Sequence, residues 1–283
     1  MGSEPWDDLT HEICSRAVDR VLKTNVDFNT VLEANTGDWE DSTYTGWERI
    51  GWPDMRPARA ENDETARQSD SHWHRLKDVF KDSDDFSMWG KTGISFEDPT
   101  QGYLGDCWII AAASVVGQDE RRIKNIFEIE HLNSAGVYAV KLYIMGIPVT
   151  VTVDDYLLFW SHAPNTGGLV YAKPSPDGAL WMPILEKAAA KMYGNFEMLS
   201  GGWMGPAIQT LTGAPYYETK HNQVSIDELF DYVYERINKG WMITTTSHVG
   251  DGSDKTTNDL GVPNRHAFTV PNALRLSNGQ RIV

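Results

Sequence analysis

Gln101, Cys107 and Trp108 stand in the run Gln101-Gly102-Tyr103-Leu104-Gly105-Asp106-Cys107-Trp108, immediately ahead of an apolar block that ends at Gly117. These residue types at this spacing suit nucleophilic chemistry. The attacking species would be a thiolate, and a free cysteine has a pKa near ~8.5. In the first turn of a helix, the sulfur faces unpaired N–H groups and the positive end of the helix dipole. Asp106 is the expected cap of that helix. Gly102 and Gly105 allow a sharp turn before it. Gln101, six residues upstream, can fold its amide back over the sulfur and, with the Cys107 backbone N–H, hold an oxyanion. The plainer alternative for Cys107 is a small buried residue on an apolar helix.

Such a nucleophile needs a histidine to take its proton and return it to a leaving amine. Eight are available. His72 and His74 flank Trp73 in a polar region and lack further metal ligands. His11, His131, His162 and His221 have surface-like neighbours. His248 ends a β-like run, and His266 begins one, His266-Ala267-Phe268-Thr269-Val270. Spacing alone favours neither of the last two.

The elements that must position these groups are legible in outline. An amphipathic helix is expected over roughly residues 9 to 24, with Cys14, Ala17, Val18, Val21 and Leu22 on one face. Residues 57 to 72 read as a polar loop or turn. Three alanines make the 107–117 block helical, and its apolar character all round makes that helix central. Residues 137–144 and 147–153 alternate as strands around a Met145-Gly146 turn. A helix is expected from Trp181 to Tyr193 with Gly194 as its stop. Ser225 and Glu228 form a capping box for another, ending near Gly240. From Trp241 the chain turns β-like, broken by a polar loop from Ser247 to Asn264. Asn278-Gly279 reads as a hairpin turn.

The bulk properties bound the function. The 283 residues carry a formal net charge of −15 at pH 7, which argues against a nucleic-acid backbone as partner. No apolar run approaches the ~20 residues of a membrane span. The N-terminus has no signal-peptide pattern, and Trp6 removes the myristoylation pattern that Met1-Gly2 would begin. Two cysteines make no disulfide framework, so a reducing, cytoplasmic setting is the expectation.

The Gln-Gly-x-Leu-Gly-Asp-Cys-Trp run resembles the calpain family of papain-like cysteine proteases. So do Phe80-Lys81-Asp82 with Asp98 and Gln101, Val153-Asp154-Asp155-Tyr156-Leu157, the stretch Leu180-Trp181 to Lys191, and Ser200-Gly201-Gly202. The resemblance covers residue 80 to the end. It implies an α+β, papain-like fold in two lobes, a helical first lobe at 80–200 and a β-rich, C-terminally incomplete second lobe at 201–283. Residues 1–79 would pack on or lead into the first lobe, with Gly201 and Gly202 as hinge. It implies a calcium-regulated endopeptidase that cuts proteins in a limited way, with Cys107 as nucleophile, His266 as base and Gln101 in the oxyanion hole. Arg265 departs from the family's Gly-His-Ala pattern. The family's orienting asparagine lies in an Asn-Pro-Trp motif that these residues lack, and is expected beyond Val283. Calcium in the first lobe would take the side chains of Asp98 and Glu186 and the backbone oxygens of Lys91 and Gly93. No EF-hand loop is present. The alternative function is a catalytically inactive, calpain-like regulatory or binding module. Another Cys-His transferase shares the chemistry but not the motif.

Overall fold

The computed structural model describes residues 18–19, 21–34, 37–45, 49–50, 71–80, 85–160, 168–247 and 256–283. Cys14, Trp47, Trp52, His11, His162 and His248 lie outside them, as do residues 248–255 of the expected loop from Ser247 to Asn264. The expected first helix is seen only at its end. There Val21 is buried, but Leu22, assigned to the same face, is 63% exposed. The next helix, α1 (Phe28–Ala34), packs Phe28 and Val31 against Ala135, Val137 and Ala139.

Ser71–Arg75 is a strand, β1, not the tail of a polar loop. It pairs antiparallel with β4 (Tyr156–Trp160), Ser71 opposite Trp160 and Arg75 opposite Tyr156. A short helix, α2 (Leu76–Phe80), follows β1 directly. The central helix α3 (Cys107–Val116) buries every residue but Cys107 and Ser114, as its composition demands. Helix α4 (Glu120–Lys124) is capped by the Asp119 side chain. Strands β2 (Val137–Ile144) and β3 (Ile147–Asp154) form the expected hairpin, with Ile144 opposite Ile147. Met145 and Gly146 both take positive φ, 51° and 82°, the geometry of a tight primed turn.

Helix α5 (Trp181–Tyr193) is buried along nearly its whole length and stops at Gly194. Pro183 is tolerated because it lies in the first turn, where backbone N–H groups have no helical acceptor. Lys187 and Lys191 are buried with it, which only ion pairing makes tolerable. Lys187 meets Asp154 and donates to the Tyr156 carbonyl at 2.6 Å. Lys191 meets Asp41 at 2.6 Å, and Arg49 reaches Asp154 at 3.1 Å. Arg75 pairs with Asp155 at 2.7 Å and donates to the Trp39 carbonyl. The β3–β4 corner and α5 are thus bolted to Trp39, Asp41 and Arg49 and to β1.

The chain after residue 200 is not mostly β. Helices α6 (Met204–Thr212) and α7 (Ile226–Asn238) dominate its first half. The Ser225–Glu228 capping box is present in full. Strands β5 (Thr244–Thr246) and β6 (Ala267–Thr269) pair over three residues. Strands β7 (Leu274–Arg275) and β8 (Arg281–Ile282) flank the Asn278-Gly279 turn. All four sheets among the described residues are two-stranded and antiparallel. Helix α6 packs on α3 and β2, and β6 packs on α3.

Candidate active site

The approach to α3 is fixed by backbone contacts. The Tyr103 N–H donates to Val170 at 2.8 Å, and the Gly201 N–H donates to Gly105 at 2.8 Å. At Gly102 the backbone runs so close to Tyr171 that a Cβ would stand 1.8 Å from its carbonyl oxygen. Only glycine fits there. The Trp108 indole donates to the Leu199 carbonyl at 2.7 Å and meets Tyr193 edge-on. Cys107 therefore opens a helix whose start cannot shift.

Asp106 does not cap that helix with its side chain. Its backbone carbonyl accepts from Ile109 and Ile110, while its fully buried carboxyl turns to Glu186. Burial, and then the charge and hydrogen bond of Asp106, push the Glu186 carboxyl well above the usual carboxylate range. The Ala172 N–H donates to Glu186 at 3.0 and 3.1 Å, which opposes that rise.

Gln101, Cys107 and His266 line one cleft of about 280 Å³. Cys107 is half-buried and forms no disulfide with a described residue. One Gln101 N–H is held by the Leu104 carbonyl at 2.7 Å, which fixes the amide plane and leaves its second N–H for the cleft. His266 precedes β6. Its backbone N–H donates to Ser247 Oγ at 3.0 Å, and its carbonyl accepts from the Ser247 N–H at 3.0 Å. Its ring lies edge-on to Phe268, 4.9 Å between centroids. Thr269 donates to the Ala111 carbonyl at 2.8 Å and Gln118 to that of Pro271 at 3.0 Å, so the base-bearing strand is tied to the nucleophile's helix.

Arg265 has φ of 49°, in the left-handed region that favours glycine. A glycine at this place would satisfy the backbone; arginine holds the same turn with strain. Asn272 accepts from the Ala273 N–H, and Asn278 exchanges hydrogen bonds with Gln280. Both amides serve local turns.

The expected calcium set is not assembled as drawn. Asp98 is buried, accepts from the Ser95 N–H at 2.8 Å and from the Trp181 indole at 3.0 Å. Burial pushes its carboxyl up, against those two donors. Glu186 sits five residues after Trp181, about 140° around α5, and is occupied by Asp106 and Ala172. Two acids act on Asp98 electrostatically, Asp177 and then Glu97, and both raise it. Asp177 accepts from the Thr92 N–H and hydroxyl at 2.9 and 2.8 Å, between Lys91 and Gly93. Burial pushes Asp177 up, but hydrogen bonds from Ser175, Thr92 and Lys91 outweigh it and hold the group at about 2. Sequence reasoning passed over Asp177; the Ser-Pro-Asp-Gly turn at 175–178 was its signal. Among the described residues, no group of three or more acids, histidines or cysteines is placed to hold a metal ion, and no helix is long and apolar enough to cross a membrane.

Comparison with known proteins identifies the family. A family model described as calpain family cysteine protease matches residues 53–283, beginning earlier than the expected residue 80. Calpain-type cysteine protease ADL1 of Oryza sativa is 30% identical over 71% of the chain, which covers 9% of that protein. Calpain-B of Drosophila melanogaster is 27% identical over 86% of the chain and 26% of its own length. Calpain-1 catalytic subunit of Rattus norvegicus is 28% identical over 67% of the chain and 26% of its own length. The chain thus spans about a tenth of the plant relative and about a quarter of the animal ones.

Proposed function

The chain belongs to the calpain family of cysteine proteases, and we propose that it is a cysteine endopeptidase worked by Cys107, His266 and Gln101. The observation that carries this reading is that all three line one cleft. His266 takes the thiol proton, and the sulfur attacks the scissile carbonyl. The oxyanion is held by the free Gln101 N–H and the Cys107 backbone N–H, donors of the kind worth ~10²–10³ in turnover. Collapse breaks the C–N bond as His266 gives its proton to the leaving amine. Water, deprotonated by the same imidazole, then adds to the thioester and releases the acid and the thiol. The helix dipole behind Cys107 favours the anion throughout.

The same reading divides the protein into an N-terminal segment, 1–79, a first lobe, 80–200, and a second lobe, 201–283, with peptide bound extended between the lobes. It places limited cleavage of proteins in the cytoplasm. It also includes regulation by calcium, a hard cation that takes oxygen donors. Asp98, Asp177 and the backbone oxygens of Lys91 and Gly93 supply that chemistry; Glu186, turned to Asp106, does not. An ion there would hold the segment that leads to Gln101.

A second reading, the inactive module, draws on Arg265, whose strained backbone adjoins the base. Labelling of Cys107 by a peptidyl thiol-reactive probe, with and without calcium, decides between them. The protease reading expects labelling that disappears in Cys107→Ser and falls sharply in His266→Ala. Folded protein that resists the probe in both conditions supports the module instead.

A further inference from the structure

The imidazole of His266 is not positioned by its backbone alone. Ser247 holds that backbone on both sides, accepting from the His266 N–H and donating to its carbonyl. Such bonds leave the side-chain torsions free. Among the described residues, no side chain hydrogen-bonds to a ring nitrogen of His266. Asn272 and Asn278 are spent on local turns. The contact the ring does make is with Phe268, at 4.9 Å between centroids and 76° between planes. That is the edge-to-face arrangement aromatic pairs prefer, within their range of about 4.5–7 Å. Side chains two residues apart on an extended strand fall on one face, and both of these line the cleft beside Cys107. Phe268 is itself anchored. It stands opposite Thr245 of β5, Ala267 before it is buried, and Thr269 after it donates to the Ala111 carbonyl of α3. The ring is therefore carried by a strand docked on the nucleophile's own helix.

An aromatic neighbour fixes a ring plane without taking a hydrogen-bonding site. Both imidazole nitrogens stay available for the proton traffic with the sulfur and the leaving amine. An edge-to-face contact favours one ring angle by about two- to tenfold in population, and reaction depends steeply on alignment. We propose that Phe268 is a positioning residue, which sets the plane of the His266 imidazole against Cys107. The inference rests on the protease reading and adds to it a group that acts through the base. Leucine at this place would keep the apolar character and much of the volume, but it offers the imidazole no flat ring to settle against.

The test is alkylation of Cys107 in the full chain by iodoacetamide, with calcium present, read by peptide mapping. This small neutral reagent makes no use of the cleft walls, so a change in peptide binding does not enter the rate. Phe268→Leu should slow the reaction by about three- to tenfold, and Phe268→Tyr, which keeps the ring, by less than about twofold. In a His266→Ala background, Phe268→Leu should have no further effect, because touching residues that act as one unit are not additive. Phe268→Met repeats the measurement if the leucine variant loses its fold. Alkylation of Phe268→Leu at the parent's rate, or a slowing that persists in full without His266, overturns the inference. The protease reading survives either result so long as His266→Ala by itself slows alkylation. If His266→Ala is alkylated as fast as the parent, both fall together.

Discussion

Lys187 and Lys191 on α5 are buried with carboxylate partners, whereas Arg275 and Arg281 on the last hairpin pair with Asp231 and Asp227 of α7 at the surface. The side chains are of one kind, but their weight differs. An exposed pair contributes ~0–1 kcal/mol. A buried charge left without its partner costs ~3–5 kcal/mol. The apolar core divides the same way. The main cluster draws on α3, α5, β2, β3 and β4 and ends at Leu211 in α6; beyond it, only Phe230, Ala267, Val270 and Ala273 are buried apolar residues among those described. The nucleophile's side is overdetermined. The base's side is held by Ser247, Thr269, Gln118 and short strands.

Asp154→Ala tests the heavy side. It strands Lys187 and Arg49, and should cost about 3–5 kcal/mol in urea unfolding. A loss below about 1 kcal/mol would erase the contrast. A smaller effect, visible only along the pH axis, is expected at Glu186. Its carboxyl is raised in the folded state, so its contribution is complete below the unfolded pKa near ~4.3. That contribution is lost as pH rises through the folded value. In a chelating buffer the parent's Tm should decline as pH rises above that point. Glu186→Gln, which keeps an acceptor for Ala172, should decline less, and parallel curves would show that the raised Glu186 carboxyl carries no weight. Ser247→Ala probes the light side. It removes a hydroxyl that accepts from the His266 N–H at 3.0 Å and donates to the His266 carbonyl at 3.4 Å, so stability should fall by only about 1–2 kcal/mol, while kcat/KM falls severalfold as His266 loses its register. A stability loss as large as that of Asp154→Ala would put the base on the same footing as the nucleophile.

The elements that sequence reveals best here are those written locally. The all-apolar 107–116 stretch, the Met-Gly turn, the Gly194 stop and the Ser225–Glu228 box each carry their signal within a few residues, and each element forms where expected. Strand β1 is different. Ser-His-Trp-His-Arg has no apolar alternation, and it becomes a strand because β4, far along the chain, offers it an edge. Asp106 has the sequence of a cap but the environment of a buried pair, since Glu186 comes from α5 and leaves no local trace. The acids of Asp154-Asp155 and the lysines of α5 look solvated in sequence; burial reverses that. In the site, spacing alone did not separate His248 from His266, and family resemblance supplied the choice.

The ion pairs of α5 also set an order of assembly. Lys191 and Asp41 are 150 positions apart, and Arg49 and Asp154 are 105 apart. Closing such long loops is slow, because chain entropy is lost before the contact is gained. Until α5 is in place, Asp154 has no lysine and the Asp41 carboxylate has no cation from α5. Strands β1 to β4, the central helix and the thiol at its tip all precede α5 in the chain, yet the frame that seats them is completed only by the last turn of α5. The nucleophile is synthesised well before the frame that holds it is whole.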